Sequence, residues 1–178
     1  MKKLLKLKEL KKLFLLLPIL LLISCAVKVR TVTDEFYGTQ YYQTDYMGIS
    51  GWSYAINFSF IADKEITLSC SYKDANSYTI SENNKIILKF SDNSLINLTY
   101  INDMPAVDRT VYTSSYSGKT YSLSSHTINA EAKVNNDIGI LTAIRIENSK
   151  GYRNLDVKAS FANKFQKAYN DIKNKINE

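Results

Sequence analysis

The strongest constraint on the fold is a two-residue period that begins at Trp52. Trp52, Tyr54, Ile56, Phe58 and Phe60 fall on one side of an extended chain, with Ser53, Ala55, Asn57 and Ser59 on the other. Successive side chains of a strand point to opposite faces, so this alternation specifies a strand with one face buried. After a turn at Asp63-Lys64 the pattern resumes with Ile66, Leu68, Cys70 and Tyr72, making the two segments a hairpin. A second hairpin joins residues 85–90 to 95–100 through Ser91-Asp92-Asn93-Ser94, whose side chains bond the local backbone and tolerate turn conformations. Ile86, Leu88 and Phe90 then share an inward face with Ile96, Leu98 and Tyr100.

Weaker strand patterns lie at Tyr78 and Ile80, at residues 111–116 and 121–125, at 138–146 and at 152–158. Pro105 and three charges make residues 102–109 a loop. Residues 127–137 fit two readings: Ile128, Ala130, Ala132 and Val134 alternate as in a strand, yet the alanines and Glu131 also permit a helical turn or two. The last segment changes period. Phe161, Phe165, Ala168, Tyr169, Ile172 and Ile176 recur at spacings of three and four, which predicts an amphipathic helix over residues 160–177 with Ser160 as N-cap. No helical pattern alternates with the strands, so antiparallel pairing is expected throughout. The fold expected is mainly β: an antiparallel β-sandwich of about seven to nine strands with a C-terminal amphipathic helix. It forms a single domain over residues 51–178, after a tether and lead-in segment at 25–50.

The N-terminal end reads differently. Lys2, Lys3, Lys6, Lys8, Lys11 and Lys12 precede the apolar run at residues 13–23, which closes on Leu22-Ile23-Ser24-Cys25. A basic start, a short apolar stretch and small residues at the cut make a secretory signal over residues 1–24, and the run falls short of the roughly 20 residues that span a bilayer. Leu22-Ile23-Ser24-Cys25 resembles the lipobox of bacterial lipoproteins, and the rest of the chain loosely resembles small lipoproteins of Gram-negative bacteria. The resemblance implies cleavage before Cys25, acylation of its thiol and amino group, and a protein held to a membrane of the cell envelope by several acyl chains. Ala26 after the cysteine, where an aspartate would retain such proteins at the inner membrane, leans towards the outer membrane.

The leader changes how composition is read. The whole chain carries a formal charge of +6, but six lysines and one glutamate leave with the leader, and residues 25–178 keep 17 basic and 16 acidic side chains. The basicity that would suggest nucleic acid belongs to the signal, and no nucleic-acid partner is expected. With Cys25 acylated, Cys70 is the remaining cysteine and no intrachain disulfide can form.

Little in the chain points to chemistry. His126 is the one histidine, within Ser124-Ser125-His126-Thr127, and resembles no nucleophile elbow. Metal-ligand spacings are absent from the sequence, so no metal or cofactor is expected. Cys70, on the inward side of a strand, reads as a small buried hydrophobe. The compositional excess is tyrosine, thirteen in all, four of them between Tyr37 and Tyr46, with Trp52 close behind. Tyr41, Tyr42, Tyr46 and Trp52 form the candidate binding set, because aromatic rings combine large stiff surfaces with a polar handle. The same residues suit a sheet rim without any ligand. The C-terminal helix likewise either covers the sheet or lies at a lipid interface. The expected function is a non-enzymatic interaction or assembly module with an envelope-protein partner. The alternative is a lipid-anchored receptor for a glycan or small molecule, with an aromatic-rimmed site.

Overall fold

The computed structural model describes residues 27–178 apart from 77, 103 and 114, so the leader and Cys25 lie outside the described residues. Eleven strands and one helix follow in chain order: β1 (Val29–Thr33), β2 (Gln40–Thr44), β3 (Met47–Ser50), β4 (Tyr54–Ala62), β5 (Ile66–Asp74), β6 (Lys85–Phe90), β7 (Leu95–Tyr100), β8 (Ala106–Thr113), β9 (Thr120–Val134), β10 (Leu141–Asn148), β11 (Gly151–Asp156) and α1 (Ala159–Ile176). The strands form one sheet in the order β1-β2-β4-β5-β9-β7-β6-β10-β11, with β3 beside β4 and β8 beside β9. Every pairing is antiparallel.

The mainly-β antiparallel class with a C-terminal helix is what the alternation predicts. The two layers, however, come from a single sheet that curls over without closing. Neighbouring strands lie about 4.8 Å apart, so in a flat sheet β5 and β11, five steps apart, would be separated by roughly 24 Å. Instead Arg153 of β11 meets Asp74 of β5 at 2.9 Å. Likewise Phe165 of the helix reaches both limbs, with ring centroids 5.6 Å from Phe58, 5.0 Å from Phe60 and 6.5 Å from Phe90. The core fills the trough between the limbs. Ile56, Phe58 and Phe60 of β4, Leu68, Cys70 and Tyr72 of β5, Ile86 and Leu88 of β6, and Ile144 and Ile146 of β10 are all buried there.

The predicted hairpins are present. β4 pairs with β5 from Tyr54↔Asp74 to Ala62↔Ile66, and β6 with β7 through a turn whose Asn93 adopts a positive φ of 65°. Residues 127–134 are strand throughout, because Ile128, Ala130 and Ala132 oppose Tyr72, Cys70 and Leu68 on the core face.

Several expectations are corrected. Residues 29–50 are no tether: they supply β1, β2 and β3, and Val27 is already buried in the core. Their alternation is hard to see because the strand bends between β2 and β3. Gln43 opposes Ile61 while Met47 opposes Phe58, so three residues face two, which is a β-bulge. Thr44, itself buried, accepts the Phe60 N–H on its Oγ1 at 2.9 Å where the ladder is interrupted. Second, residues 78–80 form no strand. Third, Lys158 rather than Ser160 caps the helix, without a side-chain cap bond, and its carbonyl accepts the N–H groups of Phe161 and Ala162 at 3.0 Å. Starting there puts Phe161, Phe165, Ala168, Tyr169 and Ile172 against the sheet, and Lys173 and Lys175 in the last turn favour the negative end of the helix dipole. The loop expected at 102–109 also gives way to strand from Ala106, and the count rises to eleven.

Candidate interaction surface

The feature that departs most from a closed domain is the hairpin of β8 and the first half of β9. Its origin is local. At Asp74 the carboxylate accepts the Asn76 backbone and side-chain N–H groups at 2.9 and 3.0 Å, a turn that takes the chain out of the sheet. β5 therefore ends opposite His126, although β9 starts six residues earlier, at Thr120. β8 pairs with β9 from Ala106↔Thr127 to Thr113↔Thr120, and over residues 120–125 it is β9's one partner among the described residues. The result is a two-stranded arm that extends beyond the sheet.

Its surface is mixed. Val107, Val111 and Leu123 are each about 60% exposed and Tyr116 at the tip is fully exposed, with Met104 at the base 80% exposed. An isolated two-stranded hairpin is marginal in water. This one is braced by polar contacts: Arg109 Nε donates to Ser122 Oγ at 2.8 Å, Thr113 and Thr120 hydroxyls meet at 3.1 Å, and Lys73 lies 3.8 Å from Asp108. Chain-distant apolar side chains held out on a braced hairpin suit contact with another protein.

Beneath the arm lies a polar seam. Asp74 is 4% exposed and Tyr72 wholly buried. Tyr72 donates its hydroxyl proton to Asp74, and Arg153 Nη1 donates to Asp74 Oδ2 at 2.9 Å and to Tyr72 Oη at 3.2 Å. The Arg153 guanidinium also stacks 5.0 Å from the Tyr54 ring centroid. Burial, and then the Asp74 carboxylate it faces, push the Tyr72 hydroxyl far above the usual tyrosine range; burial does the same for Tyr78. Both phenols stay protonated, and Tyr72 is a permanent donor. The seam ties β5 to β11 and so holds the curled sheet's two limbs together. His126 stands at its margin, its ring 6.2 Å from that of Tyr78 and its backbone carbonyl accepting the Tyr78 hydroxyl at 3.3 Å.

The four aromatic candidates do not form one patch. Tyr41 and Tyr42 are sequence neighbours on β2 and therefore point to opposite faces. Tyr42 packs against the core with Ala62 as its cross-strand partner, while Tyr46 is exposed at the bulge. Trp52 is fully exposed on the turn between β3 and β4, where Gly51 N–H bonds to the Tyr54 carbonyl at 2.9 Å. A groove of about 530 Å3 on the outer side of β6, β10 and β11 is walled by Ile87, Leu95, Ala143 and Val157 with Lys89 and Arg145, and none of the four aromatics reaches it. Cys70 is buried, and desolvation raises its thiol well above the ordinary range, as suits a small hydrophobe.

The weak strand patterns at 111–116 and 121–125 overlap β8 and the start of β9, but they do not announce that the pair projects beyond the sheet. Residues 106–125 scatter Val107, Val111, Leu123 and tyrosines among small, hydroxylic and charged groups, without a continuous large apolar face. That lack is the available signal, since a hairpin with nothing to bury cannot sit over a core. No protein-family model, curated protein or solved structure matches the chain.

Proposed function

We propose that this chain is a lipid-anchored envelope protein whose β-domain docks another envelope protein through the β8–β9 arm. The observation that carries the reading is the arm itself: a braced hairpin, outside the core, that presents Val107, Val111, Leu123 and Tyr116 to solvent. Attachment rests on the lipobox-like Leu22-Ile23-Ser24-Cys25. Val27 is already part of the core, so at most about 7 Å of extended chain separates the anchor cysteine from the folded domain. Such a domain sits against the bilayer, and a projecting arm extends its reach. The receptor reading draws less support, because Tyr41 and Tyr42 face opposite ways and Trp52 stands by itself on a turn.

The test is site-specific photo-crosslinking in the envelope. A photoreactive residue at Val111 or Tyr116 should give a discrete heterologous adduct, and one at Tyr46 should not. Val111→Glu should abolish the adduct without changing the melting temperature. Adducts from position 46 alone would overturn the reading. Cys25→Ala should leave the protein unprocessed and free of acyl label; an unchanged lipid-labelled product would remove the anchor.

A further inference from the structure

Among the described residues, the arm leaves a strand edge with no neighbour. Residues 120–125 of β9 pair with β8 on one side, while on the other side β5 stops at Asp74, opposite His126. An open edge presents unpaired N–H and C=O groups and is ordinarily guarded by charge, proline, brevity or cover. The outermost strands β1, β3, β8 and β11 carry such guards. β1 bears Arg30, ion-paired to Asp45 at 2.6 Å. β3 has four residues and lies against the helix. β8 bears Asp108 and Arg109 and follows Pro105. On β11, Arg153 is drawn into the ion pair with Asp74. By contrast, Thr120-Tyr121-Ser122-Leu123-Ser124-Ser125 has no charge, no proline and no glycine.

The same six residues are complementary to themselves. Antiparallel self-pairing needs a two-fold axis normal to the sheet, so a residue at the axis meets its own copy. With the axis at Leu123, Ser122 opposes Ser124 and no charged side chain within the segment opposes another. On one face leucine approaches leucine, and on the other serine hydroxyls approach one another, both favourable cross-strand pairs. A two-fold through the middle of β8 would instead bring Asp108 or Arg109 close to its own copy. We infer that the free edge of β9 at residues 120–125 is a homotypic docking site, pairing antiparallel with the same edge of a second copy of this chain to join two arms into one four-stranded sheet. Main-chain hydrogen bonds supply the adhesion, as in other strand-addition contacts. A contact of this length is small beside a standard interface, so confinement of both copies to one membrane raises its occupancy.

The inference rests on the arm being a docking surface, and the experiment separates the two. The detergent-solubilised full chain is followed by sedimentation equilibrium. Dimers are expected, and Leu123→Lys, which sets lysine near lysine at the axis, should weaken dimerisation by about tenfold or more while leaving the circular dichroism and melting temperature unchanged. Leu123→Cys should form an intermolecular disulfide on mild oxidation in membranes, because Cβ atoms near the axis come within about 5.5 Å; Val107→Cys, on the other strand of the arm, should not. A monomer at all densities, without a Leu123→Cys crosslink, overturns the homotypic pairing. If Val111→Glu still abolishes the heterologous adduct in that case, the docking reading stands and this inference alone fails. Dimers indifferent to Leu123→Lys overturn the inference as well.

Discussion

Asp74 is the residue on which most of the architecture turns. Its backbone ends β5, its side chain starts the turn to Asn76, and its buried carboxylate takes the Arg153 guanidinium that draws β11 across. Removing one partner of a buried ion pair leaves the other uncompensated and costs about 3–5 kcal/mol. Arg153 is about one-third exposed, so Arg153→Met is expected at or below the lower end of that range, read as a lowered urea midpoint. Asp74→Asn should cost less than Asp74→Ala, since the amide oxygen can still accept from Tyr72 and Asn76. Phe165 offers an independent check. It is wholly buried and packs on Phe58, Phe60, Phe90 and Phe161. Phe165→Ala should destabilise by about 3–5 kcal/mol, through lost transfer energy and a cavity between the limbs.

At the scale of elements, the helix and the arm behave oppositely. α1 inserts its aromatic stripe into the trough and anchors its flank through Gln166 Nε2 donating to the Ile138 carbonyl at 2.8 Å and Tyr169 donating to the Asn136 carbonyl at 3.2 Å. Deleting residues 160–178 should therefore abolish the cooperative thermal transition. The described side chains of the arm include no large buried one, so replacing its outer part, residues 108–123, by a two-residue turn should shift the melting temperature little while removing the crosslinks. Amide exchange should show the same contrast, with the arm's hydrogen bonds opening well before those of β4 and β5. The helix was legible from its spacing to within a residue at each end. The arm was not, since Val111 and Leu123 read as ordinary strand positions until β5 is seen to stop short of them.

For the whole molecule, folding traps phenols in a protonated state. Burial raises Tyr72, Tyr78 and Tyr100 well above 10.0. The sign follows from linkage: a group whose folded value exceeds its unfolded value contributes stability that is present below the unfolded pKa and lost as pH climbs past it. Stability should thus fall above pH 10, and phenolate absorbance from these three tyrosines should rise together with unfolding rather than before it. By itself the sequence determined the class of the fold, the two principal hairpins with the buried faces of β4 to β7, and the terminal helix, because alternation and helical spacing are local and fixed by side-chain size. Only the tertiary structure decided that one sheet curls into two limbs, that residues 29–50 belong to it, and that β9 outruns β5. Those features depend on pairings between distant strands, on a bulge at Thr44 and on an ion pair spanning Asp74 and Arg153, none of which leaves a periodic trace in the chain.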